Sequence, residues 1–118
     1  MKLLIIEDDL LMMRALELKL KKEGYETIAC ADGKEGIRRI AEMRPDLVIT
    51  DLMLPLADGI KILKYVKSLQ GDPIPVLILS ALGQEGKIEE AFKYGVDDYI
   101  TKPFSLVELA IRIKKLVK

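Results

Sequence analysis

Short, unbroken apolar runs punctuate the chain at 3–6, 47–50 and 76–79, each of four consecutive apolar or β-branched residues. Runs this short and this continuous fit strands buried on both faces. Two weaker stretches, 25–30 and 97–100, alternate loosely or carry β-forming residues and read as further strands. Between them the period changes to that of a helix. Leu11, Ala15, Leu18 and Leu20 recur after a cap at Asp9 until Gly24 stops the helix. The second helix opens at Asp32 or Gly33, turns Ile37, Ile40, Ala41 and Met43 inward, and closes before Pro45. A third, over about 60–69, carries Ile60, Leu63, Val66 and Leu69. The fourth, roughly 84–94, has only Ile88, Ala91 and Phe92 as apolar positions. Gly83 and Gly86 lower its propensity, so it is expected to be mobile. The last helix starts at a Ser105 cap with Glu108 completing a capping box, and buries Leu106, Leu109, Ala110, Ile113 and Leu116.

Strand and helix thus alternate five times. Such alternation predicts an α/β fold, a parallel sheet with helices on both faces, and right-handed crossovers reduce the topologies to a few. The most continuously apolar strands are the first, third and fourth, which places them centrally. The expected architecture is a single-domain, flavodoxin-like (βα)5 sandwich with strand order 2-1-3-4-5 over residues 1–118.

With 19 basic and 19 acidic residues in 118, no collective charge field favours nucleic acid or a membrane surface. The apolar runs fall far short of a membrane span, no leader pattern precedes the first strand, and no DNA-binding segment is expected within the chain. The lone Cys30 has no internal partner, and the chain has no histidine. A reducing cytoplasm is the expected location, with Cys30 a small buried hydrophobe.

Chemistry gathers at the strand ends. The first run ends in Glu7-Asp8-Asp9, the third in Asp51, the fourth in Ser80-Ala81, and the fifth leads to Lys102-Pro103. In the expected topology these strands are neighbours, so Glu7, Asp8, Asp51, Ser80 and Lys102 converge on one crevice. Clustered carboxylates repel unless a cation joins them. Oxygen-only donors at a shallow site favour hydrated Mg²⁺. Carboxylate, cation, hydroxyl and lysine around one point form the set that stabilises a phosphoryl group, and the carboxylate itself can be its acceptor.

These residues resemble the response-regulator receiver domains of two-component signalling over the whole chain. The matching pieces are Ile-Ile-Glu7-Asp8-Asp9, Val-Ile-Thr-Asp51-Leu-Met-Leu-Pro55, Asp58-Gly59, Leu-Ser80-Ala81 and Asp97-Asp98-Tyr99-Ile-Thr-Lys102-Pro103-Phe104. The resemblance implies that Asp51 accepts a phosphoryl group from a sensor histidine kinase or phosphotransfer protein. It implies Mg²⁺, with Mn²⁺ as a substitute, held by Asp8, Asp51 and the backbone carbonyl of Met53, with Glu7 reaching it directly or through water. Lys102 would pair with a phosphoryl oxygen after a cis Lys102–Pro103 bond, Ser80 would hydrogen-bond the phosphoryl group, and Tyr99 would be the switch aromatic. The chain would be a switch that catalyses only its own phosphorylation and dephosphorylation. The run from Asp97 to Ser105 is similar to the DNA-binding winged-helix subfamily, whose receivers dimerise through the fourth helix, fifth strand and fifth helix. Asp98, Glu108 and Arg112 match that ion-pair network, while Ile88 and Glu90 occupy its basic positions. Val107 and Ile111, with Ile88, are the expected apolar patch for a partner. Asp9 reads as a cap, Asp58-Gly59 as turn and helix entry, and Asp97-Asp98 as a solvated or interface pair.

Two other classes fit less well. A phosphohydrolase that forms an aspartyl phosphate places an acid two residues after its nucleophile, where Met53 stands here. A flavin carrier needs small hydroxyl and glycine donors in its first loop, where Glu7-Asp8-Asp9 would repel the cofactor phosphate.

Overall fold

Five parallel strands pair in the order β2-β1-β3-β4-β5 in the computed structural model, which describes residues 1–117. The elements in chain order are β1 Lys2–Ile6, α1 Leu10–Lys22, β2 Glu26–Cys30, α2 Gly33–Met43, β3 Leu47–Asp51, α3 Gly59–Ser68, β4 Val76–Ser80, α4 Glu85–Lys93, β5 Asp98–Thr101 and α5 Leu106–Leu116. This is the flavodoxin-like order expected from the apolar runs. Among the described residues no helix is long and apolar enough to cross a membrane.

Because side chains alternate along a strand, the central strands feed two cores at once. Leu4, Ile6, Val48, Val76 and Ile78 point to one face and meet Ile40, Ile62, Leu63 and Ala91 from α2, α3 and α4. Leu3, Ile5, Leu47, Ile49, Leu77 and Leu79 point to the other and meet Leu16 and Leu20 of α1 and Leu109 and Ile113 of α5. Four of the five helices are capped by a side chain at their entry. Asp9 accepts from Leu11 and Met12 N–H, Asp32 from Glu35 N–H, Asp58 from Lys61 N–H and Ser105 from Glu108 N–H. At α5 the capping box is half made, because the Glu108 carboxylate turns along the helix to Arg112 (3.4 Å). α4 begins without a side-chain cap.

Several helix faces differ from the periodic reading. On α1 the inner stripe is Leu16 and Leu20 with Met12 and Met13 against it, whereas Leu11 is 82% and Leu18 61% exposed. In α2, Ala41 is exposed and the buried positions are Gly33, Gly36 and Ile40. α3 also buries Ile62. On α4, Ile88 and Ala91 are buried while Phe92 is exposed, so Ile88 does not join Val107 and Ile111 in a surface patch.

These placements predict an asymmetry within α1. Leu16→Ala should lower unfolding free energy in urea by about 2–4 kcal/mol, while Leu11→Ala should change it by no more than about 0.5 kcal/mol.

Candidate functional site

The sheet register decides which residues meet. Ile6 pairs with Thr50, Asp51 with Leu79 and Ser80 with Thr101, so β1, β3, β4 and β5 end at nearly one level. The residues that follow them share the carboxyl edge of the sheet, where open α/β folds place their chemistry. One carboxylate oxygen each from Glu7, Asp8 and Asp51 lies within 4.8 Å of the others. Lys102, arriving from the loop after β5, donates from Nζ to Glu7 Oε1 at 2.8 Å and to Asp51 Oδ2 at 3.1 Å. The Lys102–Pro103 peptide bond is cis.

Glu7 is fully buried, and both its oxygens are engaged. Oε1 takes the lysine, and Oε2 accepts the Asp9 N–H at 3.0 Å. Asp51 accepts the Leu52 N–H on Oδ1 at 3.0 Å and the lysine on Oδ2. Asp8 is exposed at the mouth. Burial works to strip the Lys102 proton. The hydrogen bond to Glu7 and the charge of Asp51 outweigh it and hold the ammonium above the ordinary lysine value of 10.5. One ammonium against three carboxylates leaves a surplus of negative charge. With oxygen as the only donor type, the cluster suits a hard divalent cation.

Ser80 is buried one strand away. Its backbone carbonyl accepts the Lys102 N–H at 2.6 Å, and its hydroxyl lies 3.5 Å from that of Thr101. Next to it, Ala81 N–H donates to the Gln84 side chain at 2.7 Å. Tyr99 is half-buried, its ring edge-on to Phe92 with centroids 5.8 Å apart. Met53 lies half-exposed in the loop after β3, and Pro103 is exposed. Cys30 is a buried thiol, pushed up to about 11 chiefly by burial and then by Glu35. Asp97 and Asp98 form ion pairs within the chain. Asp97 binds Lys67 at 2.7 Å and the Val76 N–H at 2.8 Å, while Asp98 binds Arg112 at 3.0 Å.

Two residues matter here beyond those expected. Thr101 is the hydroxyl partner of Ser80; its place at the end of β5 was the available signal. Gly59 packs directly beneath the end of β3. A Cβ there would sit 2.7 Å from the Asp51 carbonyl oxygen, and its N–H donates to Leu52 O at 2.7 Å. Gly59 is therefore a positioning residue for Asp51 as well as the entry to α3.

The profile described as the response regulator receiver domain matches residues 3–114, and the chain belongs to that family. Its members are signalling switches of two-component systems. The chain is 38% identical over its whole length to the transcriptional regulatory protein YclJ of Bacillus subtilis, covering 51% of that protein. It is 33% identical over 99% of its length to the transcriptional regulatory protein PrrA of Mycobacterium tuberculosis, covering 50%. The chain thus spans about half the length of the curated relatives it matches. Among solved structures, the receiver domain of the Francisella response regulator 1452 superposes with a TM-score of 0.87 at 41% identity, over 98% of this chain and 94% of that one. The chemotaxis response regulator CheY4 of Vibrio cholerae gives 0.90 at 26% identity, over 98% of each chain.

Removing the lysine should leave the buried Glu7 charge without its cation. Lys102→Met is expected to lower stability at neutral pH by about 1–3 kcal/mol, measured by denaturant unfolding. Since the folded-state pKa is raised, this contribution is complete below the ordinary lysine value of 10.5. It disappears as pH climbs through the higher folded value, so the two proteins should converge only in strong alkali. Gly59→Ala should cost about 1–3 kcal/mol, because it forces backbone apart beneath Asp51.

Proposed function

We propose that Asp51 is a phosphoacceptor, taking a phosphoryl group from the phosphohistidine of a sensor histidine kinase or phosphotransfer protein. The carrying observation is the position of Lys102 Nζ, 3.1 Å from Asp51 Oδ2 and 2.8 Å from Glu7 Oε1. This places a proton-retaining cation where the charge of a transferred phosphoryl oxygen would develop.

In the proposed step an Asp51 carboxylate oxygen attacks phosphorus. The new O–P bond forms as the P–N bond to the donor imidazole breaks, and the electron pair stays with the departing nitrogen. The lysine, already hydrogen-bonded to Asp51, moves onto a phosphoryl oxygen and keeps its contact with Glu7. The Ser80 hydroxyl, weakly held by Thr101, turns toward the same group. Asp8, Asp51 and the Met53 carbonyl would hold Mg²⁺, which supplies charge neutralisation when bound. Glu7, with both oxygens already engaged, would reach the ion through water. The acyl phosphate carries about −1.5 to −2 charges where the carboxylate carried one. Tyr99 then turns toward the space that Ser80 leaves, and the surface of α4, β5 and α5 is reset. The uncapped α4 is the element of that face with least to hold it in place.

Incubation with acetyl phosphate and Mg²⁺ should label the chain at one site, and Asp51→Asn should remove the label. Full labelling of Asp51→Asn would overturn the proposal. Met53 and Leu82, two residues beyond Asp51 and Ser80, are exposed apolar side chains. Neither can orient a hydrolytic water, so the phosphorylated form should be long-lived. Leu82→Glu or Met53→Asn should shorten that lifetime several-fold in a discharge assay.

A further inference from the structure

The turn between β4 and α4 is closed by a side chain. Gln84 occupies the N-cap position of α4, yet its amide caps no N–H of that helix. Its Oε1 reaches back and accepts the Ala81 N–H at 2.7 Å. Gly83, at φ +89°, supplies the reversal that brings the two together. The helix thus forgoes a capping bond for this contact, and the local chemistry of α4 does not account for it.

Peptide geometry fixes what the contact covers. The Ser80 carbonyl accepts the Lys102 N–H at 2.6 Å, on the β5 side of β4. Across a trans peptide the C=O and the following N–H point in opposite directions. The Ala81 N–H therefore faces the other neighbour, β3, whose last residue is Asp51. On that side the Leu52 N–H bonds the Leu79 carbonyl at 2.9 Å, and the next acceptor in the ladder, the Leu52 carbonyl, takes the Gly59 N–H at 2.7 Å. The Ala81 donor is left facing the strand that carries Asp51, and the Gln84 oxygen occupies it.

We propose that Gln84 is a positioning residue that latches the unphosphorylated site, its amide oxygen holding the Ala81 N–H that a phosphoryl oxygen on Asp51 would otherwise take. The inference rests on the phosphoacceptor reading of Asp51. A neutral amide oxygen is a moderate acceptor. It keeps the donor in the resting chain and yields it to the more strongly charged phosphoryl oxygen. Displacement removes the side-chain closure of the turn, which ties occupancy of Asp51 to the start of α4.

Two variants of nearly the same shape test this at half-buried Gln84. Gln84→Met keeps the length and removes the acceptor, whereas Gln84→Glu keeps the acceptor and gives it charge. In the free protein, hydrogen exchange of the Ala81 amide should be several-fold faster in Gln84→Met than in the unmodified chain. Beryllofluoride, a phosphoryl mimic, is then titrated with Mg²⁺ into isotopically labelled protein, with binding read from the Ser80 and Ala81 amide resonances. Affinity should rise about threefold in Gln84→Met and fall about tenfold in Gln84→Glu. A contact that only braces the turn would give the reverse order, weaker binding in Gln84→Met and preserved binding in Gln84→Glu. That order, equal affinities in all three proteins, or unchanged exchange at Ala81 would overturn the latch while leaving the role of Asp51 intact. An unmodified chain that takes up the mimic no better than Asp51→Asn would overturn the phosphoacceptor reading, and the latch with it.

Discussion

A single ammonium group holds the carboxyl edge of this sheet together. Lys102 Nζ bridges the buried carboxylate of Glu7 and that of Asp51, joining the ends of β1 and β3 to the loop after β5. Without it, a fully buried charge on Glu7 would stand unpaired beside two more carboxylates, an arrangement that costs about 1–3 kcal/mol. The bridge spans the central strands, so the fold and the site share one electrostatic constraint.

The rest of the architecture serves that meeting. Sheet order 2-1-3-4-5 makes β1, β3 and β4 adjacent and puts β5 beside β4, which lets residues 95 positions apart, Glu7 and Lys102, come within hydrogen-bonding distance. Two apolar cores, one on each face, fix the level at which the strands end. Gly59 allows α3 to begin hard against the Asp51 backbone. A groove between α4 and β5 begins at Ser80 and Thr101, whose hydroxyls approach each other at 3.5 Å, and extends to Phe92. The proposed switch therefore has a short path, from the Asp51 cluster through one hydroxyl to an aromatic wall.

Much of this was legible in the residues. The unbroken runs at β1, β3 and β4 marked buried strands because each faces a core on both sides, and strand order followed from their apolar continuity. The helix caps at Asp9 and Ser105, and the helix entry at Asp58-Gly59, were readable because capping and turn formation are local chemistry. The face of α1 was not. Apolar residues surround that helix at Leu10, Leu11, Met12, Met13, Leu16, Leu18 and Leu20, so periodicity admits more than one stripe and only the sheet beneath selects Leu16 and Leu20. Tertiary context also placed Phe92 outside and Ile88 inside on α4. The roles of Gly59 and Thr101 depend on contacts across loops and strands that no local pattern carries. Asp98, Glu108 and Arg112, which suggested pairing between subunits, close on one another within the chain.

The most direct test is a crystal structure of the chain with Mg²⁺ and beryllofluoride, a phosphoryl mimic. The expected result has the mimic on Asp51, Lys102 Nζ moved onto one of its fluorines while still touching Glu7, Ser80 Oγ bonded to another, and Tyr99 turned inward. A mimic bound elsewhere, or bound at Asp51 with Lys102 and Ser80 unmoved, would contradict the proposed role of the site.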